Sequence, residues 1–179
     1  MLGIELGTGG AGLAVLRPGV IQTVTPPDAW QGRAVLAVAP SRDGSLWIGT
    51  EGAGLYQFRD GGWTNFAESA GIGVPYVWAV LEDAAEKLWV GTWDGLLARQ
   101  GDRFAVVPGL ESMNEYIRAL LPARSGGLWA GTGGGLLHYQ AGQSSWPGQS
   151  GAPARRDVRA IAEAPDGTLW FGTAGGGLA

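Results

Sequence analysis

The stretch SLWIGTEGAGLY, residues 45–56, decides the fold because the chain writes it again. It returns as KLWVGTWDGLLA at 87–98, as GLWAGTGGGLLH at 127–138 and as TLWFGTAGGGLA at 168–179. A worn copy, GIELGTGGAGLA, stands at 3–14. The Gly-Thr pairs open at Gly7, Gly49, Gly91, Gly131 and Gly172, at spacings of 42, 42, 40 and 41 residues. Self-similarity at a fixed period of this size marks a repeat architecture, in which each unit buries its apolar faces against its neighbours.

Within one period the local signals are those of short strands. AVLAVAP (34–40) is apolar and rich in Val and Ala, and SRDG follows as a turn. SLWIGT is a second strand, EGAG a glycine turn, LYQFR a third strand, DGG a turn and WTNFA a fourth strand. Strands of about five residues joined by Asp-Gly or Gly-Gly read as antiparallel hairpins. Asp43-Gly44, Asp60-Gly61, Asp94-Gly95 and Asp166-Gly167 all fall at such turns, which accounts for these aspartates without a metal. Four antiparallel strands per repeat predict an all-β fold, a β-propeller of about four four-stranded blades, either whole or part of a larger ring. The single domain divides into a partial repeat at 1–33, repeats at 34–75, 76–115 and 116–156, and a partial repeat at 157–179.

Composition agrees and excludes several classes. Of 179 residues, 45% are apolar and 16% charged, unlike a disordered chain. The 33 glycines recur at fixed places in the period and read as turns. A net charge of −4 argues against a general nucleic-acid binder. Arg118, Arg155, Arg156 and Arg159 form either a local basic spot or scattered solvated charges. Cysteine is absent, which excludes disulfides and thiolate metal sites. Lys87 is the only lysine against eleven arginines, a bias of composition rather than a functional signal. No apolar run approaches the ~18 residues of a membrane span. MLGIELGTGG carries Glu5 and no basic segment, so it does not read as a secretory signal.

Three columns run through the repeats. Trp47, Trp89, Trp129 and Trp170 occupy the first, where a large ring fills the gap between blades and its N–H reaches a backbone acceptor. The glycine two residues later lets a neighbouring backbone approach closely, and the β-branched threonine after it suits a pleated strand. Ala37, Ala79, Ala119 and Ala160 form the second column, two residues after Val35, Val77, Ile117 and Val158. Small residues there suit the crowded centre of a ring. The third column lies just before each alanine and holds Leu36, Trp78, Arg118 and Arg159. It changes in size and charge, so it is either channel filling or a site facing the mouth.

Tyr76-Val-Trp-Ala-Val80, Leu88-Trp-Val-Gly-Thr92 and Gly95-Leu96 together resemble the two-component regulator propeller repeat, as do the segments around Trp47, Trp129 and Trp170. The resemblance spans essentially the whole chain. It implies a non-enzymatic sensing module outside the cytoplasmic membrane that binds a ligand such as an oligosaccharide and couples to an output domain. No kinase, receiver or DNA-binding segment accompanies it here. Glu5 departs from the pattern, since a carboxylate cannot cheaply replace a buried ring.

The outer repeats are incomplete. Strands are expected at 3–8, 12–17 and 20–24, then at 158–164 and 168–173 with the stub GGGLA. Joining the ends would complete four blades but leave GTGGAGLA and GTAGGGLA competing for one slot. The chain is therefore read as a piece of a longer array, a small ring with one copy displaced, or half of a two-chain ring of about eight blades.

The catalytic inventory is thin. His138 is the only histidine and sits on a third strand, as a surface residue. No recurring His/Glu pair, Ser/His/Asp spacing or metal cluster stands out. GTGGAG and GTGGG lie between strands, not before a helix, which argues against phosphate binding. No cofactor is expected. In a propeller the loops entering the inner strand and those after the second strand share one face. Trp30, Tyr76, Trp78, Trp93 and Tyr116 are therefore expected around one mouth, with Arg33, Arg118 and Arg159 as donors. Aromatic faces with arginines suit a carbohydrate or small acidic ligand. The alternatives are a protein-interaction scaffold without such a site, and a propeller lyase of the virginiamycin B type.

Overall fold

The computed structural model describes residues 4–8, 12–17, 20–27, 30, 33–66, 70–147 and 156–179. They form five antiparallel sheets, each a meander of consecutive strands. Blade 1 holds β1 (Ile4–Thr8), β2 (Gly12–Arg17) and β3 (Val20–Val24). Blade 2 holds β4 (Val35–Pro40), β5 (Leu46–Thr50), β6 (Leu55–Arg59) and β7 (Gly62–Phe66). Blade 3 holds β8 (Val77–Glu82), β9 (Leu88–Thr92), β10 (Gly95–Gln100) and β11 (Arg103–Val106). Blade 4 holds β12 (Ile117–Pro122), β13 (Leu128–Thr132), β14 (Gly135–Gln140) and β15 (Gln143–Ser145). Blade 5 holds β16 (Val158–Glu163), β17 (Leu169–Thr173) and β18 (Gly177–Leu178). This is the all-β propeller architecture the repeat predicts. The two partial repeats do not merge into one blade. Each keeps its own sheet, and among the described residues the arc stays open between blades 5 and 1.

The inner strands β4, β8, β12 and β16 stand side by side, and β1 packs on β4. The core is therefore divided among the seams. Between blades 2 and 3 it holds Trp47, Leu55, Val77, Val90 and Phe104. Between blades 3 and 4 it holds Trp89, Leu96, Ile117, Ala130, Leu137 and Tyr139. On the other face of blade 2, Trp30, Leu46, Ile48 and Tyr56 form a third cluster. Every residue of β5 and of β9 is buried, as a strand covered on both faces must be.

The glycine column is what lets blades approach. A Cβ built on Gly49 would stand 2.6 Å from the Val77 carbonyl oxygen, on Gly91 2.9 Å from that of Ile117, and on Gly131 2.6 Å from that of Val158. Those carbonyls belong to the next blade's inner strand. Gly172, with no following blade among the described residues, has only the Ala160 methyl nearby, at 3.8 Å.

The tryptophan column behaves in step with the seams. Trp47 and Trp89 are buried, Trp129 is half-buried, and Trp170 on the uncovered face is 47% exposed. One expectation needs correction. The Trp89 indole N–H donates not to backbone but to Asp83 Oδ2, at 2.8 Å. Asp83 Oδ1 also accepts the backbone N–H groups of Ala85 and Lys87, both at 2.9 Å, so one carboxylate closes the hairpin and pins the ring.

The threonines do more than fit a pleat. Thr50 Oγ1 donates to the Gly54 carbonyl at 2.7 Å and accepts the Ala53 N–H at 3.1 Å. Thr92 Oγ1 likewise donates to the Gly95 carbonyl at 3.0 Å and accepts the Asp94 N–H at 3.2 Å. Each hydroxyl bridges the glycine turn that follows it, and so fixes the loops at the mouth.

Candidate functional site

Each inner strand carries a β-bulge. Its pairing with the second strand skips one residue, between Val35 and Ala37, Val77 and Ala79, Ile117 and Ala119, and Val158 and Ala160. The skipped residues are Leu36, Trp78, Arg118 and Arg159, the variable column. A bulge places two residues against one, bends the strand and re-aims the extra side chain. The structural residues on either side keep their places, which is how this column varies at little cost to the blade.

The loops meet as expected. The Trp93 N–H donates to the Tyr76 carbonyl at 3.3 Å, the Gly133 N–H to that of Tyr116 at 3.2 Å, and the Ala174 N–H to that of Asp157 at 2.9 Å. Glu51 bridges to Tyr76 of the next blade. These bonds tie the residue before each inner strand to the turn after the second strand, at one end of the blades.

Five of the seven expected site residues come together there. Trp78 lies edge-on to Trp93, with centroids 5.2 Å apart, and edge-on to Tyr116, also at 5.2 Å. Trp93 is 5.7 Å from Tyr116 and 6.2 Å from Tyr76. The Arg118 guanidinium stacks over the Trp78 ring at 3.7 Å and over Tyr116 at 4.7 Å. Trp93 is 51% exposed and Tyr76 39%, so two rings of this group face solvent. Arg159 stands beside them on blade 5, joined through a residue the sequence did not single out. Asp157 Oδ1 faces Arg118 Nε at 3.3 Å, and its Oδ2 accepts from Arg159 Nε at 3.0 Å. The carboxylate thus links blade 4 to blade 5. Arg118 Nε and Asp157 Oδ1 are both buried and, despite their closeness, not aligned as a hydrogen bond.

Trp30 is the exception. It is fully buried in the third cluster, stacked on Tyr56 at 5.1 Å and edge-on to Trp63 at 5.3 Å. Its indole N–H donates to the Arg33 carbonyl at 2.8 Å. A tryptophan in a Pro-rich loop looked free in the sequence, but the blade 2 seam needed the ring. Arg33 does reach the mouth, lying over Gly52, and Glu115 lies over Gly133 and Gly134. Asp157 and Glu115 escaped notice because an acidic residue just before a strand reads as turn chemistry.

His138 is at the wrong end for this site, and it is not a free surface residue. Its Nε2–H donates to the Gly126 carbonyl at 3.1 Å, in the turn between β12 and β13, and its ring packs on Trp129 at 4.4 Å. Of the four arginines weighed as a basic spot, Arg118 and Arg159 share Asp157, and Arg156 donates to the Gly175 carbonyl at 3.2 Å. Arg155 lies outside the described residues.

Residues 154–175 match the two component regulator propeller family. The chain is similar in structure to the extracellular domain of the hybrid two component system BT4673 of B. thetaiotaomicron, with TM-score 0.76 and 23% identity over 96% of this chain and 24% of that one. It is similar to the corresponding domain of BT3049 from the same organism, with TM-score 0.70 and 19% identity over 98% of this chain and 31% of that one. It also resembles virginiamycin B lyase from Staphylococcus aureus, with TM-score 0.65 and 12% identity over 98% of this chain and 65% of that one. At these identities the likeness is one of fold. The chain spans 24% and 31% of the two extracellular domains it resembles. No curated protein matches it.

Proposed function

We propose that the chain is a non-enzymatic binding module of a bacterial signalling protein, taking a sugar or similar small ligand at the mouth of blades 3 to 5. The observation that carries this reading is the group of Trp78, Trp93, Tyr116 and Arg118. Two of its members sit on bulges that re-aim them, and one indole face lies open to solvent. Apolar rings on a loop face cost solvation unless something covers them, and a flat C–H face beside a cation is what they suit. The likeness to extracellular domains of hybrid two component systems supports a role outside the cytoplasmic membrane, with any output supplied elsewhere. A catalytic reading finds less support. The chain's one histidine bonds a turn at the opposite end of blade 4 from Tyr116.

A glycan and metabolite screen by thermal shift tests the proposal. The wild type is expected to gain stability with at least one saccharide, and Trp93→Ala to lose that gain while still unfolding cooperatively without ligand. No shift with any compound would favour a protein-interaction scaffold. Turnover of a retained compound would favour an enzyme, and its full survival in His138→Ala would remove the simplest lyase reading, in which His138 is the base.

A further inference from the structure

We propose that this mouth selects saccharides bearing a carboxylate over their neutral counterparts, with the outer edge of Arg118 as the fork that holds the acid group; the assignment rests on the binding reading above. Among the described residues, Asp157 is the only carboxylate within ion-pair reach of Arg118, and it meets Nε rather than the terminal nitrogens. The guanidinium is half-buried, and stacking on Trp78 and Tyr116 orients its plane. The edge that remains carries two parallel N–H directions, which match the two oxygens of a carboxylate.

Charge points the same way. Asp157 is shared between Arg118 and Arg159, so the trio keeps one positive charge. Arg156 adds a second beside Gly175, and the carboxylate of Glu115 over Gly133 and Gly134 offsets it. These groups of blades 4 and 5 sum to one positive unit in a chain whose net charge is −4, and Asp94, in the turn beside Trp93, adds a carboxylate on the blade 3 side. Around an acidic protein such a spot attracts anions locally. A hexuronate carries a C–H face and an acid group on one ring, the pairing that Trp93 and Arg118 offer.

The test uses a pool of uronate-containing oligosaccharides and the same pool after carboxyl reduction, each measured against the immobilised whole chain. The acid pool is expected to bind about tenfold more tightly, the scale of one charge-assisted contact. Its binding should weaken with added salt, and the preference should vanish in Arg118→Gln. Arg118→Lys should keep part of the preference, since it retains the charge but not the fork. Equal binding of both pools by the wild type, or preference for the neutral one, would overturn this inference and leave the binding reading standing. Retention of neither pool would overturn this inference, and the broad screen above then decides the binding reading separately. The wild-type comparison and its salt dependence need no variant, so a poorly folded Arg118→Gln would not decide the matter.

Discussion

Gly49, Gly91 and Gly131 are there because a carbonyl of the next blade occupies the space a side chain would fill. Replacing any of them with alanine forces the blades apart. The expected cost is about 1–3 kcal/mol each, as for overpacking a well-filled core. Gly172→Ala should be close to neutral, because its nearest neighbour stands at ordinary contact distance. Urea unfolding of the four variants checks this, and equal losses at all four positions would refute the seam argument. The same scale separates Trp47 from Trp170. Trp47→Ala removes a buried ring and should cost about 3–5 kcal/mol. Trp170→Ala should cost well under half of that, since nearly half its surface is already in water.

At the scale of the hairpin, the turns are held by short side chains that act as acceptors. Asp43 accepts the Ser45 hydroxyl at 2.6 Å and the Ser45 N–H at 2.9 Å, and Asp166 accepts the Thr168 N–H at 2.9 Å. For Asp43 the Ser45 hydroxyl is the larger cause and the Ser45 N–H the second; for Asp166 the Thr168 N–H comes first. Both carboxyls are held below the ordinary 3.8. A lowered folded-state pKa means the unfolded chain takes up protons first as the pH falls. The stabilisation is then complete above the ordinary value and is lost as pH drops through the folded one. Urea midpoints should therefore be level above about pH 5 and fall below about pH 4. Asp43→Asn should flatten part of that fall. The mouth loops depend on a neutral counterpart. Thr50→Val or Thr92→Val removes both bonds of the hydroxyl to its turn, although the Gly54 carbonyl keeps the Thr50 N–H at 3.1 Å, and should cost about 0.5–1.5 kcal/mol.

Across the whole molecule, stability is a sum over seams, because each blade touches only its neighbours. Blades 2, 3 and 4 hold the two largest buried clusters, whereas the outward face of blade 5 exposes Trp170 and Leu178. Hydrogen exchange should accordingly be slowest in β9 and β13 and clearly faster in β17, although all three carry the same Leu-Trp-x-Gly-Thr sequence. Uniform protection across the three strands would mean the array unfolds as one unit. The candidate site straddles blades 3, 4 and 5, so it depends on the seam that Asp157 bridges.

Repeat spacing alone determined the strand order, the turns, the blade type and the residues that line the seams, because a four-stranded meander is local in sequence and every copy restates it. It also placed Tyr76, Trp78, Trp93, Tyr116 and Arg118 on one face, since all lie at strand ends whose direction the meander sets. What needed the tertiary structure was anything decided between blades. The bulge beside each inner alanine is a mismatch of one residue in pairing, and no residue type announces it. Trp30 is consumed by packing against Tyr56 and Trp63, a contact invisible in a loop sequence. Asp157 becomes the shared partner of two arginines only once blade 5 is docked on blade 4. Charge pairing and burial depend on distances across a seam, and a sequence period carries no information about those distances.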